Sequence, residues 1–162
     1  MMRTVKLSAR SLFAAALLAG CGAPFTMKTP PSMVELDAQT EYAYRAMTPD
    51  GVVLGVRVLE GDGKADVAFW SEAVALHMKE LSGYALLGTS EVVTANGFKG
   101  KELRFGHDEG KKPYLYTVRL FVGRTHTFGR KDLFLVEAGG TKDEMERAGP
   151  TLDWAMGTLK LR

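Results

Sequence analysis

The sequence predicts an α+β domain, an antiparallel β-sheet covered by helices. Three observations carry that prediction. Segments of period-two apolar alternation recur along the chain, two segments instead space their apolar residues by three and four, and hairpin turn signals join neighbouring strands. The helical segments flank a run of strands, which is the order expected when helices pack onto a sheet.

The first strand pair runs from Tyr42 to Met47 and from Val52 to Leu59 about the turn Pro49-Asp50-Gly51, with Val52, Leu54, Val56 and Val58 on one face. Gly61-Asp62-Gly63 breaks the second strand. Asp66 is placed to cap a helix whose stripe is Val67, Trp70, Val74, Met78 and Leu81 and which ends near Gly83. A strand from Tyr84 to Thr94 turns at Asn96-Gly97 into a return strand from Phe98 to Phe105. After a turn at His107-Asp108-Glu109-Gly110, Tyr114, Tyr116, Val118, Leu120 and Val122 alternate with Leu115, Thr117, Arg119 and Phe121. One face of that strand is wholly apolar and belongs to the core; the other is mixed.

Gly123-Arg124 reads as the turn into a last long strand, Thr125 to Ala138, with a bulge near Gly129. Its Leu133 to Val136 run is apolar on both faces, which predicts a central strand covered on both sides. Thr141 and Glu144 then have capping-box spacing, and Met145, Ala148, Leu152, Ala155, Met156 and Leu159 are helix-spaced. Pro150 falls inside this stripe, so the helix is expected either to kink there or to end, with Pro150 opening a second piece. Trp70 and Trp154 both fit helical stripes, which places them in the core.

The N-terminus has a different character. Arg3, Lys6 and Arg10 flank and precede the short apolar run from Leu12 to Leu18, and Leu17-Leu18-Ala19-Gly20-Cys21 ends that run at the single cysteine of the chain. This resembles a bacterial lipoprotein signal; the run is too short to span a bilayer. The resemblance implies that residues 1–20 are removed and that Cys21 carries thioether-linked diacylglycerol, usually with a further acyl chain on its amine. Two or more chains hold a protein stably on a membrane. An ordinary secreted protein with a chance cysteine is the alternative. Gly22 follows the cysteine, and under the enterobacterial sorting rule a residue other than Asp there implies the outer membrane, facing the periplasm. Residues 21–32, with Pro24, Pro30 and Pro31, read as a lipidated tether and lead-in that Phe25 and Met27 can shorten by packing on the domain. Residues 33–162 form the single domain.

Loss of Arg3, Lys6 and Arg10 turns the formal +2 into 18 Lys and Arg against 19 Asp and Glu. That balance gives no reason to expect nucleic acid as a partner. With no cysteine besides Cys21, the domain has no internal disulfide and rests on apolar burial.

A second resemblance covers nearly the whole mature chain. Its elements are Phe25-Thr26-Met27-Lys28-Thr29-Pro30, the Trp70 helix, the hairpin through Asn96-Gly97-Phe98-Lys99-Gly100, the strand Tyr114-Leu115-Tyr116-Thr117-Val118, the strand end Leu135-Val136-Glu137-Ala138, and the closing Trp154-Ala155-Met156-Gly157-Thr158-Leu159. Together they resemble the PsbP-like, or Mog/PsbP, α/β/α sandwich, which includes bacterial DcrB lipoproteins. The resemblance implies an accessory or assembly factor, as members are in photosystem II, in Ran binding and in the bacterial envelope. It carries no catalytic motif and transfers no binding residue.

The chemistry-bearing residues do not assemble into a known motif. His77, His107 and His126 lack metal-ligand spacing, and no second cysteine completes a thiolate site. Asp62 and Asp66 lack the rest of a calcium loop. Ser71, Ser82 and Ser90 lie in no nucleophile elbow, and Gly61-Asp62-Gly63-Lys64 lacks the phosphate-loop spacing. No cofactor, no metal and no enzymatic activity are expected. Basic residues gather in the second half, where they read as a solvated sheet rim or as a contact surface for an acidic partner or anionic headgroups. Arg119, Phe121, Lys99 and Lys101 are the residues expected on such a surface. The sequence thus predicts a membrane-anchored accessory or assembly subunit of an envelope protein complex; the alternative is a small-ligand or lipid carrier whose cleft lies between sheet and helices.

Overall fold

The run that is apolar on both faces lies in the strand Lys131–Thr141, at the middle of a seven-stranded antiparallel sheet. The computed structural model describes residues 23–37, 41–61, 63, 66–125 and 129–162; Cys21, Asp62 and His126 lie outside them. In chain order the elements are β1 (Phe25–Thr26), β2 (Val34–Glu35), β3 (Tyr44–Met47), β4 (Val53–Gly61), α1 (Val67–Ser82), β5 (Ala85–Val93), β6 (Lys99–Glu109), β7 (Lys112–Thr125), β8 (Lys131–Thr141), α2 (Lys142–Met156) and β9 (Lys160–Leu161). The large sheet has the order β2-β3-β4-β8-β7-β6-β5, and β1 pairs with β9 in a small second sheet. This is the α/β/α arrangement expected from the sequence.

Each face of β8 carries a core. Phe134, Val136 and Ala138 point to one side with Leu54, Val56 and Phe121, where α2 packs its Met145, Ala148, Leu152 and Ala155. Leu133 and Leu135 point to the other with Leu103, Phe105, Val118 and Leu120, beneath Trp70, Val74 and Met78 of α1. The helix ends follow their sequence signals. Asp66 Oδ1 accepts the Phe69 N–H at 2.9 Å, Gly83 closes α1 with φ +68°, and Glu144 Oε2 accepts the Thr141 N–H at 3.1 Å.

Three expectations are corrected and one is narrowed. β6 runs on through His107 and Asp108 to Glu109, and the turn is the pair Gly110-Lys111, with Gly110 at φ +63°. β7 continues through Gly123 and Arg124, because Gly123 lies under the ring of Phe134 rather than in a turn. Of the two outcomes expected at Pro150, the break does not occur: α2 is one helix through it. Pro150 and Glu146, whose carbonyl loses its donor, are on the exposed side of the helix. Trp154 is 45% exposed and outside the core.

The lead-in is part of the domain. Phe25 is buried against Phe134 at 6.4 Å between ring centroids, Met33 is buried, and β1 is paired with β9, so the domain begins by Pro24 and not at residue 33.

Phe121→Ala is expected to lower stability by about 3–5 kcal/mol in urea denaturation, since Phe121 is 0% exposed. A residue on a solvent-facing surface would change it by no more than about 0.5 kcal/mol.

Candidate functional site

The two helices are offset across the sheet: α2 lies over β7 and β8, α1 over β5, β6 and β7. On the α2 side, the strip over β6 and β5 therefore has no helix above it among the described residues, and a cleft of about 430 Å³ opens between that strip and the flank of α2. Its apolar walls include Met145, Leu152 and Met156 of α2, Leu115 of β7 and Leu87 of β5. Its rim is charged. Arg119 Nε donates to Glu102 Oε2 at 2.5 Å and its Nη2 to Asp153 Oδ1 at 3.1 Å, a bridge that ties β6 and β7 to α2. Arg104 also lines the cleft, and among the described residues no acidic side chain pairs with it.

The α1 side has the complementary gap over β4 and β3. There Arg57 donates through Nε at 3.0 Å to Glu137 Oε2 and through Nη2 to Oε1, a two-pronged pair whose carboxylate is 5% exposed. Tyr42 lies beneath the guanidinium groups of Arg45 and Arg57, at 5.3 and 5.7 Å. Burial, then the neighbouring Glu137 charge, pushes the Tyr116 phenol far above its ordinary range and raises that of Tyr42. A shallow hollow lined by Tyr42, Tyr84, Tyr114 and Tyr116 lies over this pair. The Glu137 carboxylate in it is already paired with Arg57.

A third feature is the free edge of the sheet. β5 is nine residues long, pairs only with β6 among the described residues, and carries Leu86 at 46% and Val93 at 61% exposure. A groove beside it is lined by Ala75, Leu76 and Lys79 of α1 together with Tyr84 and Leu86.

The residues expected on one contact surface do not share a face. Alternation through the β6–β7 register puts Lys99 and Lys101 on the α1 side and Arg119 and Phe121 on the α2 side. Phe121 is fully buried and is withdrawn as a contact residue: the mixed face of β7 is a second core face, covered by α2. Arg119 belongs to the cleft rim. Lys99 stands exposed next to the free edge, opposite Val93, and Lys101 opposite Glu91. Arg104 is one of the basic residues that the sequence gathers in its second half; Glu102 was missed, although it alternates with Leu103 and Phe105 and so marks the polar face of β6. Also missed was Glu137, whose signal is a single carboxylate inside an apolar run.

His77 is exposed on α1, and His107 packs on the Tyr84 ring at 5.0 Å with Nδ1 3.3 Å from the Gly83 carbonyl. Among the described residues no group of three or more His, Cys, Asp or Glu could hold a metal ion.

No protein-family model matches the sequence, and no curated protein does. Solved structures match its fold. LpqN, a protein involved in cell envelope biogenesis of Mycobacterium tuberculosis, superposes with a TM-score of 0.71 at 14% identity, over 85% of this chain and 82% of its own. The cyanobacterial PsbP of Synechocystis (TM-score 0.51, 12% identity, 90% and 99% covered) and a variant of the protein Mog1 (TM-score 0.51, 16% identity, 86% and 92% covered) are also similar. The fold of this chain resembles that of these Mog1 and PsbP structures.

The buried phenols give the domain an alkaline limit. A phenol whose folded value is raised stabilises the fold fully below the unfolded value of about 10, and the contribution is lost as pH climbs toward the folded value. Urea midpoints are therefore expected to fall above about pH 10, and Tyr116→Phe to flatten that fall without abolishing it, because Tyr42 remains.

Proposed function

We propose that this chain is a lipid-anchored, non-catalytic accessory subunit of a bacterial envelope protein complex, which docks its partner along the free edge of β5. The observation that carries the reading is that edge. An exposed edge strand presents a row of backbone N–H and C=O groups without a ladder partner, and proteins ordinarily blunt such rows with short strands, lysines or prolines. The opposite edge is blunted: β2 is two residues long. β5, Ala85-Leu86-Leu87-Gly88-Thr89-Ser90-Glu91-Val92-Val93, has neither lysine nor proline, and its one irregularity of register, between Leu86 and Gly88, leaves Gly88 to Val93 as a regular edge.

The chemistry of that edge defines its occupant as an extended strand of the partner. Main-chain hydrogen bonds supply the affinity, and the α1 groove receives an apolar side chain beside Leu76 and Leu86. Lys99 and Lys101, on β6 immediately inside the edge, favour an acidic residue on that strand. The lipoprotein-like leader supports a lipid on Cys21 and a membrane address, with the outer membrane favoured by Gly22. The likeness to LpqN, itself involved in cell envelope biogenesis, supports an envelope role.

A photocrosslinking amino acid at position 93 in intact cells is expected to capture one defined partner, whereas the same group at position 147, on the outer face of α2, captures none. The double variant Leu86→Lys, Val93→Lys should lose the partner while remaining folded, since both side chains are exposed. Cys21→Ser should lose it through loss of the membrane address. Capture undiminished by the double variant, or equal capture at both positions, would remove the edge as the docking site.

A further inference from the structure

We infer that the cleft beneath α2 is a binding site for an anionic single-chain amphiphile: one alkyl chain ending in a carboxylate or a phosphate. This goes beyond the docking edge and does not depend on it. The site is on the opposite side of the sheet, and of the exposed apolar residues on β5 it uses Leu87 alone.

Size is the first argument. About 430 Å³ falls within the range of small-molecule sites, roughly 300–1,000 Å³, and takes one alkyl chain, not the pair of a diacyl lipid.

The second argument is how the space is kept. Gly149 lies in the interior of α2, where glycine is the poorest helix former after proline, and a Cβ built on it meets nothing within 4 Å. Glycine at this position also avoids the clash that Pro150 would impose on a larger residue, so the Gly149-Pro150 pair gives the helix a wall without a side chain. On the floor, Gly106 sits against the Leu87 methyl groups, 3.1 Å from where its Cβ would be. Gly88 makes room for the Arg104 guanidinium, whose Nη2 would be 3.2 Å from a Cβ there. Gly149 thus lines the void itself, while Gly106 and Gly88 lie against two side chains that line it, Leu87 and Arg104.

Charge is the third argument. The interior is lined by Leu115, Met145, Leu152 and Met156, with Thr117 near the floor donating weakly to the Ala138 carbonyl at 3.5 Å. Such a surface has no use for water and gains by covering itself with hydrocarbon. At the rim, Arg119 is already neutralised by Glu102 and Asp153, whereas Arg104 has no acidic partner among the described residues. A carboxylate or phosphate at the end of a buried chain would supply one, in the forked geometry that a guanidinium favours.

The test uses the full chain carrying Cys21→Ser, which needs no detergent, with palmitate, palmitoyl lysophosphatidylglycerol and hexadecanol as probes in calorimetric titration. Saturable binding of at least one anionic probe is expected, and the tighter of the two identifies carboxylate or phosphate as the preferred head. Arg104→Gln should weaken the anionic probes by about tenfold and leave hexadecanol unchanged, as for loss of one charge-assisted hydrogen bond. Thr117→Phe, which puts a strand-compatible ring into the void, should abolish binding of all three. Since that variant could fail to fold, a palmitate carrying a diazirine near its methyl end gives a second readout on the otherwise unaltered chain. Adducts on α2 and β7, competed by palmitate, support the site. Adducts elsewhere, no saturable binding, or binding undiminished by Thr117→Phe would overturn it.

Discussion

Seven strands are too wide for two helices. At about 4.8 Å between strands the sheet is about 29 Å across, and a helix with its side chains covers about 10 Å of that on each face. Both faces of β8 must nevertheless be dry, because Leu133 to Val136 is apolar on both. One helix per face satisfies β8 and its neighbours and leaves a strip uncovered on each side. The arrangement of everything else follows from how those strips are closed or left open.

The closures differ in chemistry. Over β4 and β3 the strip is closed by side chains of the sheet itself: the Arg57–Glu137 pair, with Tyr42 lying on Gly55 at 2.6 Å from where a Cβ would stand. Rings also lie on glycines at Phe121 over Gly100 and Tyr116 over Gly139, each pair directly opposed across two strands. A ring flattened onto a neighbouring glycine covers two strands at once and thickens the sheet less than an upright side chain does. On the α2 side the small β1–β9 sheet closes one end, through Phe25, Leu159 and Leu161. Over β5 and β6 no described residue closes the strip, and the cleft and the free edge are both found there.

The sequence was most readable where one element determines its own local geometry. Asp66 and Gly83 bound α1 because a cap and a left-handed terminus are local requirements, and the Thr141–Glu144 pair does the same for α2. The central place of β8 was legible because burial on both faces removes alternation. Pairing between distant segments was not. β1 and β9 are two residues each, too short to show a period, so the lead-in read as a tether. Gly123 and Arg124 read as a turn because nothing local announces that the ring of Phe134 will occupy the place of a side chain. Phe121 was misread for a related reason. The mixed face of β7 holds a buried phenylalanine and a rim arginine two residues apart, and only the position of α2 separates the roles. The cleft was foreseen as a space between sheet and helices and Arg119 as a surface residue, but the acidic side of the rim was not, because Glu102 and Asp153 acquire meaning only where β6, β7 and α2 meet.

The joining of β1 to β9 has a mechanical consequence. The Arg162 N–H donates to the Pro24 carbonyl at 2.9 Å, so the chain entering the domain and the chain leaving it lie side by side. Two peptide steps separate Ala23 from Cys21, a reach of at most about 7 Å. A lipid on that cysteine would leave the domain almost no slack: the β1–β9 end would rest at the bilayer surface with the C-terminus, and the orientation of the whole body would be set by a seam of two short strands. Tension on such an anchor would load that seam before it reached the seven-stranded sheet, and Lys160, Leu161 and Arg162 would then act as a clasp on Pro24, Phe25 and Thr26.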